Sequence, residues 1–596
     1  MGQEIEYQVQ VLEQLRRIRA PVVTGVPPCN VYRDMVRMPD GEIRHYGVDR
    51  TGGAARPVYM SSRDCGLSWQ TYPASERAPG ACVHSPWSGD WLTVLPVRSG
   101  RKHEWSTWAD PELDDATYVF RSPTGPDGDF EVERISELPH GMTRLPLPLR
   151  HRKRWIVASS APPETPGGGS RPVVLFSDND GRTWERRALE TVAPHVAKWP
   201  HRGVRWQNGA VEPTVVELSD GRLWMVMRTS QDNHYESFSE DGGDTWTTPV
   251  PSRFYGTLTM PLLHCLEDGR ILFVWCNTTP LPEVDHNLLS ELRDEERRGE
   301  WEDVFTNRDA LHAAVSEDDG RTWIGFRELI LDERRNDADF RTSGGSPVND
   351  KSVHQCQALE LPEGRVLVSL GQHPKCRRFL IFALEWLYET ERSDDFLEGW
   401  GNWSVHTYVR SVSGIRLGGK SGHCAHNRRP GPQLVPDPDG ERREVLRIGR
   451  HPDPRLLHEA EGATWNFPAA KAGALTMRLR MPRGSQGARI CLLDRWFNPV
   501  DPVVSHFAQY ALEIGDAGDI NGGPVLKQDV WEDLHIRWSD AGRDAADFRL
   551  GGSGAWTKID LNRPSRDGIS YVHIQSTAAR ADPHGLLLAE LEARAE

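Results

Sequence analysis

SEDDGRTW, residues 316–323, has three close relatives in the same chain: SRDCGLSW at 62–69, SDNDGRTW at 177–184 and SEDGGDTW at 239–246. Each opens with Ser, carries Asp two places on (Asn179 in one copy), Gly two places later and Trp three after that. A weaker echo, SPTGPDGDF at 122–130, keeps the Ser and a Gly and loses the Trp. Their starts at 62, 122, 177, 239 and 316 are 60, 55, 62 and 77 residues apart. That period is too long for most helical solenoids and suits a blade of four antiparallel strands.

The chemistry of the box agrees with that reading. A carboxylate accepts backbone N–H bonds inside a tight turn, Gly takes a positive φ, and Trp packs back over the turn. Apolar runs such as VVLF at 173–176 and LHAAV at 311–315 precede the boxes, so each box closes a hairpin. A second hairpin signal recurs in MPDGEI at 38–43, LSDGRL at 218–223, LEDGRI at 266–271 and LPEGRV at 361–366. Two different hairpins per repeat are what a four-stranded blade requires.

Beyond the boxes the pattern changes. FALEWLYETERSDDFLEGW at 382–400 predicts a helix and junction, and RRPGPQLVPDPDGERR at 428–443 a Pro-rich connection. Alternating runs follow, ALTMRLRM at 474–481, DLHIRW at 533–538 and ISYVHIQS at 569–576, which predict a β-sandwich. The charged stretch at 278–307 predicts a partly helical insertion between blades.

Composition narrows the function classes. The 596 residues allow two to four domains at about 150 residues each. With 71 basic against 86 acidic residues the net charge is -15, the wrong balance for a protein that lives on phosphate contacts, so no nucleic-acid partner is expected. A few converging arginines can still hold an anionic substrate in such a chain. No run is long and apolar enough for a membrane span, and residues 1–23 lack the apolar core of a secretory signal. A cytoplasmic location is the expectation, with secretion open if a leader was trimmed. The nine cysteines form no CxxC pair and are odd in number, which fits reduced thiols and neither a zinc site nor a disulfide framework. No metal-ligand or cofactor motif is visible, and none is expected.

The boxes resemble the Asp-box, or BNR repeat, of the sialidase (neuraminidase) superfamily over roughly residues 25–390. The resemblance implies an all-β fold: a six-bladed β-propeller at 1–392, with seven blades as the alternative, followed at 393–596 by a β-sandwich similar to lectin-like jelly rolls. It also implies a carbohydrate-active enzyme in which arginines clamp a carboxylate, a Tyr/Glu pair supplies a nucleophile and an Asp serves as acid/base. By register with that pattern, Arg33 after Tyr32 corresponds to the first arginine, Glu212 and Arg228 to the glutamate and second arginine, and Arg308, with Arg341 as rival, to the third. The other two positions depart. The stretch 52–62 holds no carboxylate, Asp49 being nearest, and Gln355 stands near the place expected for the tyrosine.

Histidine is the natural replacement, because its pKa suits proton transfer near neutrality. His84, His103 and His354, with His234 beside Tyr235 and His264, are the candidates, although a lone strand histidine is more often part of the core. Trp206, Trp87 and Trp105 are candidate sugar-stacking platforms. The leading expectation is exo-hydrolysis of a terminal linkage at an acidic sugar. The alternatives are a β-eliminating lyase on a glucuronate-containing glycan such as rhamnose-capped glucuronate, similar to uronate-active relatives of the fold (lyases and a rhamnosidase), and a glycan-binding propeller without catalysis. The oligomeric state is not legible.

Overall fold

In a computed structural model the chain is described except at residues 1, 30–31, 50–55, 76–77, 98–112, 138–139, 166–167, 197–204, 206–208, 283–303, 306–307, 309, 332–352, 372–375, 409–427 and 453–459. Six four-stranded antiparallel sheets follow one another along the described chain. They are blade 1 (Met35–Arg37, Ile43–Asp49, Arg56–Ser62, Gln70–Pro73), blade 2 (Val83–His84, Trp91–Val97, Ala116–Ser122, Glu131–Ser136) and blade 3 (Leu147–Pro148, Trp155–Ala161, Arg171–Ser177, Glu185–Ala188). Blade 4 (Ala210–Glu217, Leu223–Thr229, Asn233–Ser239, Val250–Tyr255) and blade 5 (Leu262–Cys265, Ile271–Trp275, Ala310–Ser316, Ile324–Leu331) come next. Blade 6 takes three strands from Cys356–Leu361, Arg365–Leu370 and Arg378–Ala383, and its outermost strand, Val22–Gly25, from near the N-terminus.

The seams show that these sheets close into a ring. Val36 and Tyr46 of blade 1 pack with Cys82 and Trp91 of blade 2, and Val94 and Val119 of blade 2 with Val157 and Leu175 of blade 3. Phe176 shares a buried cluster with Met225, Trp224 packs at 6.0 Å from Trp323, and Val274 shares a cluster with Val368 across the next three seams. Ile381 and Leu367 of blade 6 then meet Met35 and Ile43 of blade 1. Each fully buried side chain in these layers contributes about 1.5–3 kcal/mol. The helix Gly2–Arg17 lays Val11 and Leu15 on the closing seam, where Arg365 donates Nε–H to the Leu15 carbonyl at 2.9 Å.

Every box is the turn between the third and fourth strands of its blade. In the blade 5 box Asp318 accepts from Thr322 N at 2.8 Å, Ser316 Oγ at 2.9 Å and Thr322 Oγ1 at 2.7 Å. Gly320 N donates to Ser316 Oγ at 2.9 Å, and Trp323 Nε1 donates to the Gly320 carbonyl at 2.9 Å. Asn179 fills the acceptor position in blade 3, taking Thr183 N at 2.9 Å. Gly320, at φ +83°, faces the Trp224 ring of the neighbouring blade, and an added Cβ would lie 3.0 Å from it. Asp318→Ala removes three acceptor contacts at a surface turn, so a loss of about 1–3 kcal/mol is expected, read as a lower melting temperature. Turnover per folded molecule should not change, because the boxes lie at the opposite end of the ring from the residues considered below.

Residues 382–400 depart from the expected helix. Arg378–Ala383 is a strand, Leu384–Tyr388 is one 3-10 turn burying Leu384, Trp386 and Leu387, and Glu391–Asp394 pairs with the final strand Asp582–Ala595. Strand pairing at both ends leaves too few residues for an α-helix. Most of the 278–307 insertion lies outside the described residues. The remainder of the chain forms a sandwich. Gln433–Pro436, Glu444–Arg450, Asp582–Ala595, Gly473–Arg480, Trp531–Trp538, Ala546–Leu550 and Thr557–Ile559 lie in one sheet. Trp403–Ser404, Gly462–Ala470, Ile569–Ser576, Ala488–Leu493 and Tyr510–Ile514 form the other. Trp403, Trp465, Met477, Ile490 and Phe548 belong to the core between them. Among the described residues no helix is long and apolar enough to cross a membrane.

Candidate functional site

Strand direction alternates within a blade, so chain ends sort by position. The start of each innermost strand and the connection between strands two and three lie at one end of the ring, the mouth. The boxes and the hairpins between strands one and two lie at the other. Sequence position thus decides which side chains meet.

Glu212 and Arg228 meet at the mouth. Val211 pairs in register with Arg228, the register then shifts before Thr214, and Glu212 takes a left-handed φ of 51° in this bulge. A bulge re-aims one side chain, and here it turns the carboxylate onto the guanidinium. Arg228 Nη1 lies 3.1 and 2.9 Å from the two carboxylate oxygens, with both side chains nearly buried. The Pro that follows Glu212 has no N–H, which suits a place where the ladder is interrupted.

Arg144 joins them from blade 3. Its guanidinium donates to the carbonyls of Pro213 (3.3 Å), Tyr32 (3.4 Å) and Pro261 (2.5 Å), residues entering blades 4, 1 and 5. It therefore spans the centre of the mouth. Burial pushes its pKa down, and Glu212 and Tyr32 oppose that shift. The Tyr32 phenol is pushed up to about 12, first by burial, with Arg33 and Arg144 acting against it and Glu212 adding to it. Asp34, next to Arg33, is buried and its carboxyl is pushed up to about 7 by burial, against the pull of Arg33 and Arg377.

The other arginines are engaged in the framework. Arg33 donates to Val94 O at 2.9 Å, Thr143 O at 3.1 Å and the hydroxyls of Thr93 and Thr143. Arg308 donates to the Leu258 carbonyl. Both are buried at the mouth, where the Arg33 bonds tie blade 1 to blades 2 and 3 and the Arg308 bond reaches the turn that enters its own blade 5. His354 is fully buried, and its Nδ1 accepts from Met260 N at 3.0 Å, which leaves the proton of the neutral ring on Nε2. Gln355 follows it, buried at φ 63°.

The remaining sequence candidates fall elsewhere. His84 is exposed at the hairpin end of blade 2, edge-on to Trp91 at 5.1 Å, and the next residue, Ser85, donates to Asp180 of the blade 3 box at 2.7 Å. The inner strand of that blade is only two residues long, so His84 already stands at the box end. Trp87 lies there too, edge-on to Trp155. Tyr235 packs in the apolar layer between blades 3 and 4, and His234 is buried against Phe273. His264 pairs with Leu272 next to the hairpin at the box end. Asp49 pairs with Arg56 at the mouth end of blade 1. His103, Trp105, Trp206 and Arg341 lie outside the described residues.

Asp34 and Arg144 escaped the sequence reading. One signal was present: Arg144 stands three residues before Leu147–Pro148, much as Arg33 stands two before Met35–Arg37. Asp34 was hidden in plain view inside the motif that drew attention to Arg33.

Comparison with known proteins gives one family match: the family model for a BNR repeat-like domain fits residues 83–340. No curated protein matches the chain. Among solved structures, a Dyadobacter fermentans protein of unknown function is 16% identical, with 61% of this chain and 97% of that chain covered at a TM-score of 0.38. Trypanosoma rangeli sialidase in complex with sialic acid is 11% identical over 97% of this chain and 94% of its own, at a TM-score of 0.35. A Hadza microbial sialidase is 13% identical over 61% and 67%, at a TM-score of 0.40.

Proposed function

From the chain's place in the sialidase-like BNR/Asp-box superfamily, we propose that it is a carbohydrate-active enzyme that hydrolyses a terminal glycosidic linkage at an acidic sugar. The observation that carries this reading is the meeting of Glu212, Arg228, Arg144 and Tyr32 at the propeller mouth. Arg144 and Arg33 both donate to neutral oxygens, which leaves their charges to attract a sugar carboxylate. Glu212 is the base, acting on a water or on the Tyr32 phenol. Asp34, at the head of the innermost strand of blade 1 and near enough to the Tyr32 phenol for its charge to act on it, has its carboxyl raised by burial to about 7 and is the acid proposed to protonate the leaving oxygen.

Elimination needs a base to take the C5 proton of a uronate, and His354 does not offer one. Its Nδ1 is occupied by the Met260 N–H, and its Nε2 carries the proton. His354 is thus not the base of an elimination, and the preference for hydrolysis rests on the superfamily and on the acid that Asp34 offers.

Mass spectrometry of products from three substrates tests it: a sialyl-lactose, a rhamnose-capped glucuronate oligosaccharide and an unsulfated uronan fragment. The expected result is product masses that sum to one substrate plus one water. An unsaturated uronate absorbing in the ultraviolet, with no water added, would replace hydrolysis with elimination. Binding of all three without turnover would make the propeller a lectin.

A further inference from the structure

Among the described residues, the sandwich reaches the propeller mouth through the loop at 494–497. Residues 494–497 leave the strand Ala488–Leu493 and run along residues 277–279, which leave the blade 5 strand Ile271–Trp275 at the mouth end. The contact is a two-way main-chain pairing. Trp496 N donates to the Asn277 carbonyl at 3.0 Å, and Thr279 N donates to the Trp496 carbonyl at 3.1 Å. Asn277 Nδ2 adds a bond to the Asp494 carbonyl at 3.1 Å.

Arg495 sits at the centre of this contact, buried. Its guanidinium lies 3.7 Å from the centre of the Tyr255 ring, while Nε donates to Thr279 Oγ1 at 2.7 Å and Nη1 to Asp494 Oδ1 at 2.6 Å. A planar, desolvated cation over an aromatic face is a strong and directional contact. Tyr255 is the last residue of blade 4 and begins the turn at 256–261 that enters blade 5.

That turn touches the candidate site at several points. Gly256 N donates to the Asp232 carbonyl at 3.0 Å and Leu258 N to the Thr229 carbonyl at 2.9 Å, and Thr229 directly follows Arg228. The Leu258 carbonyl accepts from Arg308, the Met260 N–H holds His354, and the Pro261 carbonyl holds Arg144. Asp232 is in turn paired with Arg205 at 2.7 Å. The docking is anchored again behind the loop: Asn277 N donates to His312 Nδ1 at 3.0 Å, His312 Nε2 bonds the Tyr571 hydroxyl, and that hydroxyl donates to Glu328 Oε1 at 2.7 Å.

We propose that Arg495 is a positioning residue for the mouth: through Tyr255 and the turn at 256–261 the sandwich sets the place of Arg228 and Arg144. The sandwich is then a structural part of the glycan site rather than a module that acts apart from it. This rests on the reading of the mouth as the glycan site, but the ordering of the turn does not.

Hydrogen exchange on the full-length protein separates the two claims. In Arg495→Met, peptides covering 229–233 and 255–261 are expected to exchange about tenfold faster, in keeping with loss of the buried cation–aromatic contact to Tyr255, while the peptide covering 91–97 in blade 2 stays unchanged. Thr279→Val, which removes the Arg495 Nε acceptor and keeps the main-chain pairing with Trp496, should give a smaller acceleration in the same peptides, and it carries the test should the Met variant fail to fold. On sialyl-lactose, or whichever panel substrate is turned over, KM should rise with little change in kcat, and Arg495→Lys should restore only part of the loss. Unchanged exchange at 255–261 would overturn the proposal, and so would equal acceleration at 91–97, because Arg495 would then support the fold in general. If no panel substrate is cleaved, the function reading fails while the exchange result still decides the role of Arg495.

Discussion

Glu212→Gln is expected to lower kcat by about a thousandfold, the scale of a lost acid–base group, and to destabilise the fold by about 3 kcal/mol. The second effect follows from the partner. Arg228 is buried, and its Nη1 faces both oxygens of the Glu212 carboxylate. A carboxamide of the same shape keeps one acceptor and loses the charge, so a guanidinium remains in a low-dielectric site with weaker compensation. The two effects can be separated. Replacing both residues, as Glu212→Gln with Arg228→Gln, removes the stranded cation and should recover a large part of the stability, yet it should not recover turnover. Melting curves and initial rates on the same preparations read both. Normal turnover in Glu212→Gln would remove this pair from the chemistry and leave it a framework contact of blade 4.

The fold was legible because its signals are local. In each full box the hydrogen bonds that make the turn join residues no more than four apart, as with Ser239, Asp241, Gly243 and Thr245. The degenerate box at 122–130 still closes its hairpin, since Thr124 N donates to Ser122 Oγ at 3.4 Å and Gly128 N to the Gly125 carbonyl at 3.1 Å. Spacing of such units is enough to recognise a propeller but not to count its blades, because the sixth sheet takes its outermost strand, Val22–Gly25, from near the N-terminus and carries no box. The site is a different matter, because its partners lie far apart in the chain. Arg33 can be read from the sequence as a ligand for a carboxylate, whereas its acceptors Thr93, Val94 and Thr143 are announced by nothing near residue 33. Arg144 acquires its place only when blades 1, 3, 4 and 5 converge. His84 was misjudged by one strand length, since two residues of inner strand carry it to the wrong end. Glu212 was the easier residue, because a Glu-Pro at the head of a strand, sixteen residues before an Arg across a hairpin, brings both to the same end of the blade.

Asp34→Asn should stabilise the protein increasingly as pH rises. Burial raises the native carboxyl from 3.8 to about 7, and it does so despite Arg33 and Arg377, so the desolvation cost outweighs both guanidinium charges. Between those two values the folded protein holds a proton that the unfolded chain has released. Stability therefore falls as pH rises from about 4 to about 7 and is level above that range, the whole interval amounting to about 4 kcal/mol. Asn cannot ionise, so the variant escapes this loss: its melting temperature should exceed that of the wild type at pH 8, with the advantage shrinking steadily toward pH 4.5. Other titrating groups are common to both proteins and cancel in the difference. Activity should respond in the opposite sense. If Asp34 protonates the leaving oxygen, the wild type loses rate as pH rises through about 7, whereas the variant is slow throughout and lacks that limb. A constant difference in melting temperature from pH 4.5 to 8 would mean that Asp34 is ionised in the folded state at every pH. Arg33 and Arg377 would then have won over burial, and the acid of the reaction would have to be another group.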